Sequence, residues 1–209
     1  MIILPKHKAV YISHQRCGSH TMFDVLCAKY DGYHCMDDGY HGRVVPVEYR
    51  DWFWFSTCRN PYSLAVSIWR ATAANLDDLA YSEQWCFAAL ARDRSFTEFT
   101  KVLIRLDWSW KPTWQLDPTG ISMSQTEWFE PVHENLKAVL QIESLSNAVT
   151  HLPFWQEGVE VGHAKNRTDE GQPAWQTYYE DPEAVANVQR WAGQDFEIFG
   201  YDRQTYKLP

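Results

Sequence analysis

The chain has no Cys-x-x-Cys pair, no run of Lys and Arg longer than two, no Gly/Ser-rich linker and no long apolar stretch, and each absence removes a class of function. Its five cysteines (Cys17, Cys27, Cys35, Cys58 and Cys86) are odd in number and widely spaced, which argues against a zinc knuckle or a redox dithiol and favours a reducing compartment. With 19 Lys and Arg against 27 Asp and Glu, the formal net charge is −8. A nucleic-acid partner is therefore not expected, since its phosphates call for a basic excess on at least one face. An anionic ligand needs a local positive pocket instead. The start of the chain places Pro5, Lys6, His7 and Lys8 after a few apolar residues, so neither a signal peptide nor a membrane span is expected there. The expectation is a soluble, cytoplasmic protein.

What is present belongs to a folded chain: 45% apolar and 22% charged residues, without internal repeats or low-complexity tracts, read as a single domain over residues 1–209. A chain of this length buries about 70% of its unfolded surface and needs no disulfide staples. Eleven tryptophans are many for an ordinary core. Most are expected to pack subdomains together, while Trp108, Trp110 and Trp114 are candidates for a groove on which sugar or aromatic faces stack.

Hydrophobic patterning alternates strands with helices. Lys8 to Ser13 is short, apolar and β-branched, and after a brief loop Ser19 to Tyr30 repeats apolar residues at helical spacing. A short strand is expected near Tyr33 to Met36, a buried aromatic strand over Trp52 to Cys58, and a helix over Tyr62 to Ala74 opened by Pro61. Further helices are expected at 83–91, 96–106, 144–151, 173–180 and 182–191, followed by an ending at 195–201, with a strand at 138–142 and irregular loops at 107–120 and 154–172. The fold class is α/β, a mainly parallel sheet flanked by helices.

Two strand-to-helix junctions carry chemistry. The first reads His14-Gln15-Arg16-Cys17-Gly18-Ser19-His20-Thr21, a loop that directs backbone N–H groups toward one spot, where the helix dipole, the hydroxyls of Ser19 and Thr21 and the Arg16 cation favour a phosphate. It is no Walker A loop, because the Gly-x-x-x-x-Gly-Lys-Ser/Thr spacing and its lysine are missing, and it lacks the Gly-x-Gly-x-x-Gly of dinucleotide folds. The second junction reads Cys58-Arg59-Asn60-Pro61-Tyr62, with Ser67 and Arg70 on the helix that follows. An arginine at a strand end and a hydroxyl along the next helix can fork onto a second anion.

Taken together, these elements resemble those of the sulfotransferases that use 3′-phosphoadenosine-5′-phosphosulfate (PAPS). Arg16-Cys17-Gly18-Ser19-His20-Thr21 looks like that superfamily's 5′-phosphosulfate loop, and Arg59-Asn60-Pro61-Tyr62 through Ser67 looks like its 3′-phosphate element. The order continues with Gln125 to Phe129, Ile142-Glu143-Ser144-Leu145, His163 to Thr168 and Asp195 to Tyr201, which are similar to the membrane-type carbohydrate branch without a membrane anchor. Gln15 stands for the usual proline, Arg16 for the commoner lysine, His20 for a Ser or Thr and Asn60 for an aspartate. Arg16 keeps the charge and adds a fork; His20 adds a titrating group.

The resemblance implies a P-loop-like sulfotransferase fold and transfer of a sulfuryl group from PAPS to a hydroxyl acceptor, with a saccharide the expected acceptor, adenosine 3′,5′-bisphosphate (PAP) as product and no metal. Arg16 with the N–H groups of Cys17, Gly18, Ser19, His20 and Thr21 would hold the 5′-phosphate. Arg59 and Ser67 would hold the 3′-phosphate, and Lys165 or Arg167, in the loop before the C-terminal helices, is a further candidate to face the nucleotide, with a solvated surface pair the favoured alternative. Proton abstraction from the acceptor calls for a base, for which His34, His41 and His20 are the candidates, with Glu143 another. His34-Cys35…His41 also invites a zinc reading, against which stands the lack of a second ligand pair. Cys17 occupies a position where the superfamily carries a hydroxyl and is expected to pack rather than to act as a nucleophile. The acceptor groove is expected within Leu76 to Gly120, where no pattern names the acceptor. A nucleotide-dependent phosphotransferase and a non-catalytic carbohydrate-binding protein on the same fold are the alternatives.

Overall fold

A computed structural model describes residues 1–35, 42, 44–74, 94–105, 122–162 and 171–207. The described chain is α/β, with a five-stranded mixed sheet and flanking helices, and it divides into two compact units. The first comprises Met1–Arg59 and Phe129–Arg167, the second Asn60–Trp128 and Thr168–Pro209.

In the first unit, strands β1 (Ile2–Leu4), β2 (Ala9–Ile12), β3 (Tyr33–His34), β4 (Phe53–Cys58) and β5 (Leu136–Gln141) lie in the order β3-β1-β2-β4-β5. The pairs β2·β4 and β4·β5 are parallel, whereas β1·β2 and β1·β3 are antiparallel. The expectation of a mainly parallel sheet is thus corrected to a mixed one. The cause is connection length. Only the single 3-10 turn Pro5–His7 and a left-handed Lys8 (φ 46°) join β1 to β2, and a parallel pair needs a crossover of a dozen or more residues.

Helix α1 (Ser19–Tyr30) packs on one face of this sheet. Side chains two apart along each strand point the same way, so Ile2, Leu4, Ala9, Tyr11, Phe55 and Leu140 meet Met22, Phe23, Val25, Leu26 and Tyr30 of α1 in one buried cluster. The alternate positions Ile3, Val10, Ile12 and Trp54 are buried as well, as expected of strands covered on both faces. Gly32 makes the tight return from α1 to β3: a Cβ there would stand 2.7 Å from Ile2 Cγ2 and 2.8 Å from Leu4 Cδ2. The expected helix at 144–151 is instead a 3-10 turn (Ile142–Ser144), the short α5 (Leu145–Ala148) and a second 3-10 turn (Val149–His151).

The second unit is helical over its described residues, with α2 (Pro61–Ala74), α3 (Phe96–Arg105), α4 (Gln125–Phe129), α6 (Pro182–Trp191) and α7 (Gly193–Ile198). The expected helix at 173–180 is a 3-10 segment, Trp175–Tyr179. Pro61 opens α2 and Asn60 caps it, its Oδ1 accepting from Tyr62 N at 3.0 Å, so Asn60 does the capping work an aspartate would do. Tyr62 anchors an aromatic cluster with Tyr179, Phe196 and Tyr206 at ring separations of 4.9, 5.0 and 5.3 Å. Among the described residues no helix is long and apolar enough to cross a membrane.

Asp195 is the polar node of this unit. Fully buried, it accepts from Gln125 N (2.9 Å), Gln125 Nε2 (3.1 Å), Thr126 N (2.8 Å) and Thr126 Oγ1 (2.7 Å), thereby satisfying the leading donors of α4. Burial raises its pKa, and the bonds from Thr126 and Gln125 oppose that shift. Asp195→Ala strands those donors in the interior and is expected to cost about 3 kcal/mol or more, read from urea unfolding; a loss under about 1 kcal/mol would show that the node is dispensable.

Candidate functional site

The β2–α1 loop is shaped by what its carbonyls must bond. Thr57, near the end of β4, donates its hydroxyl to Cys17 O at 2.6 Å. A hydroxyl has one hydrogen, so Thr57 Oγ1 accepts in turn from Tyr11 OH at 2.7 Å. Arg59, just past the same strand, donates from Nη1 to Arg16 O at 3.2 Å. Two successive carbonyls are therefore turned toward the end of β4. In a trans peptide the N–H points opposite to the C=O of the same unit, so the N–H groups of Cys17 and Gly18 are aimed away from β4. The first helical bond of α1 runs from Met22 N to Gly18 O at 3.1 Å, and Ser19, His20 and Thr21 precede it, as the donors of a helix N-terminus do. The loop thus turns the N–H groups of Cys17 and Gly18 away from β4 at a positive dipole end.

This backbone course needs left-handed residues at alternate positions, and Arg16 (φ 60°) and Gly18 (φ 78°) supply them. At Gly18 a glycine is required twice over, because a Cβ would also lie 3.2 Å from Ile142 Cγ2. Arg16 adopts a conformation that costs a side-chain-bearing residue about 1–2 kcal/mol, offset by the bonds to its carbonyl and to that of Cys17. Inside the loop Ser13, His14 and Cys17 are fully buried; His14 Nδ1 donates to Gln15 O at 2.7 Å, and Cys17 Sγ lies 3.3 Å from the same nitrogen. Cys17 is thus a packed residue.

The structure brings Arg16, Cys17, Gly18, Ser19, His20, Thr21 and Arg59 together in the first unit, with Arg16 and Arg59 each half-buried. Ser67 lies buried on α2 in the second unit. His20 is exposed in the first turn of α1, and His34 is exposed on the edge strand β3, where it meets the ring of Phe23 edge-on at 4.8 Å; His20 lies 6.4 Å from the same ring. Partial burial, the N-terminal ammonium and His20 all hold the His34 pKa below its ordinary value. A neutral imidazole at physiological pH is the form able to take a proton. Glu143 is exposed in the 3-10 turn after β5. His41, Lys165, Arg167, the loop tryptophans Trp108, Trp110 and Trp114, and most of the expected acceptor region at 76–120 lie outside the described residues. Among the described residues no three His, Cys, Asp or Glu side chains gather as a metal-ligand set.

Sequence reading overlooked Thr57 and Tyr11, the pair that orients the loop. Their signal was a hydroxyl inside an otherwise apolar buried strand and a tyrosine in the strand beside it. No family model matches the chain, and no curated protein or solved structure matches it either.

Gly18→Ala is expected to lower stability by about 1–3 kcal/mol in denaturant titration, combining the φ penalty with the contact at Ile142; an unchanged midpoint would show that the loop does not need this backbone. His34 is expected to titrate below 6.5 by NMR, so the folded state takes up fewer protons than the unfolded one and stability falls as pH drops beneath that value. A titration above 6.5 would reverse that sign and remove the basis for a neutral imidazole.

Proposed function

We propose that the protein is a PAPS-dependent sulfotransferase acting on a hydroxyl acceptor of the saccharide class. The observation that carries the reading is the bond from Arg59 Nη1 to Arg16 O. It ties together the two arginine-bearing segments singled out by the resemblance, on a loop whose Cys17 and Gly18 N–H groups point away from β4. A ligand with anionic groups at separate points suits such an arrangement better than one with a single charge, and the nearby arginines supply the local positive potential that a chain of net charge −8 needs for it.

In the proposed reaction the acceptor oxygen attacks sulfur in line. The new S–O bond forms as the S–O bond to the 5′-phosphate breaks, PAP departs with that electron pair, and the acceptor proton passes to a base. The Arg16 loop would stabilise charge growing on the bridging oxygen, and its contribution is electrostatic and positional. By the resemblance, Arg59 would take the 3′-phosphate. His34 and His20 are the described candidates for the base.

PAP is expected to raise the melting temperature more than ATP with magnesium does, and the reverse ranking would favour a phosphotransferase. Arg59→Ala should weaken PAP binding by about 2 kcal/mol or more in calorimetric titration; unaltered affinity would remove Arg59 from the site. Binding of PAP without transfer of labelled sulfuryl to any glycan, lipid or phenol would favour a non-catalytic carbohydrate-binding protein.

A further inference from the structure

A third carbonyl of the β2–α1 loop is claimed as well, this time from within the loop. His14, just past the end of β2, is fully buried, and its Nδ1 stands 2.7 Å from Gln15 O. A carbonyl oxygen only accepts, so the ring carries a proton on Nδ1. The same N–H faces Cys17 Sγ at 3.3 Å, and the ring lies 6.1 Å from that of Phe129. All of these groups belong to the first unit. The carbonyls of Gln15, Arg16 and Cys17 are thus bonded in turn by His14, Arg59 and Thr57. Three consecutive peptide planes are fixed in this way, and with them the N–H groups of Arg16, Cys17 and Gly18.

The bond from His14 differs from the other two in what it controls. The φ angle of Arg16 is a rotation relative to the peptide plane that carries Gln15 O, whereas the carbonyls of Arg16 and Cys17 lie on the planes that follow. His14 therefore holds the plane from which the left-handed backbone of Arg16 (φ 60°) departs. A residue with a side chain keeps that conformation only where its surroundings impose it. Arg59 holds the plane on the other side of Arg16, so the two bonds bracket the left-handed residue. We propose that His14 is a positioning residue of the candidate phosphate loop: without touching the ligand, it keeps Arg16 in the left-handed form on which binding of the donor's 5′-phosphate end depends. The proposal rests on the PAPS reading and gives a role to a residue that the motif resemblance leaves out.

Asparagine and leucine share one branched outline, but only asparagine carries a donor, and its amide nitrogen is as many bonds from Cα as Nδ1 is. His14→Asn should bind PAP within about threefold of the wild type, and His14→Leu about tenfold or more weakly, in calorimetric titration well below the melting temperature of each variant. A residue that merely fills space would give the two variants equal affinities, and that result overturns the proposal. If the wild-type protein does not bind PAP, the donor reading fails and the proposal with it. The tautomer is read without any nucleotide: nitrogen-15 NMR of the wild-type protein should find Nδ1 of His14 protonated, and a ring with its proton on Nε2 alone overturns the proposal even where PAP binds. Should His14→Leu not fold, His14→Gln, whose amide nitrogen lies one bond further out, takes its place. It should bind PAP several-fold more weakly than His14→Asn, and parity between the two counts against His14.

Discussion

Two backbone carbonyls, those of Arg16 and Cys17, are claimed by side chains at the end of β4, and the rest of the candidate site follows from that claim. Once Thr57 and Arg59 hold these oxygens, planarity of the peptide unit leaves the paired N–H groups no choice but to face away from the strand. Left-handed backbone at Arg16 and Gly18 is then the geometric consequence, and the glycine is the residue that can adopt it beside Ile142. The hydrogen-bond chain from Tyr11 through Thr57 to Cys17 O runs between neighbouring parallel strands, so the shape of the loop is set by strand register rather than by the loop itself. A one-residue slip of β4 against β2 would turn Thr57 to the opposite face and release the loop.

Much of this was legible from residue patterns, for reasons that differ by element. Helix α1 was readable to the residue, because Met22, Phe23, Val25, Leu26 and Tyr30 repeat at helical spacing and a glycine precedes them. Strands β2 and β4 were readable as short apolar runs buried on both faces. Strand β1 was not. A three-residue segment at the chain start has no periodicity to detect, and its antiparallel pairing depends on a turn of only three residues followed by a left-handed lysine. Missing it made the sheet look more parallel than it is. The 142–151 segment was misjudged for a related reason, since tight 3-10 turns and a one-turn helix share the apolar spacing of a continuous helix.

For the site, the motif residues of the first loop and Arg59 were visible as types at a spacing, while the atoms that orient them were not. Nothing in a linear reading says that Thr57 reaches Cys17 O, or that Arg59 turns to the Arg16 carbonyl. Burial is equally invisible there: Ser67 and Arg70 were visible as a hydroxyl and a cation on the helix after Pro61, but not that this stretch of α2 is buried on nearly every side and that Arg70 carries its charge into the interior. In an acidic chain, an enclosed guanidinium with no carboxylate paired to it among the described residues is the observation that residue patterns were least able to anticipate.

The central claim is that one ligand with two separate anionic groups is held at the first loop and the arginine beside it. Phosphorus NMR of PAP during titration with the protein tests it directly, because the 3′- and 5′-phosphates give distinct resonances. Both are expected to shift and broaden together at the same protein concentration, and both to lose that response in the Arg59→Ala variant. Movement of one resonance alone, or of neither, would contradict the account.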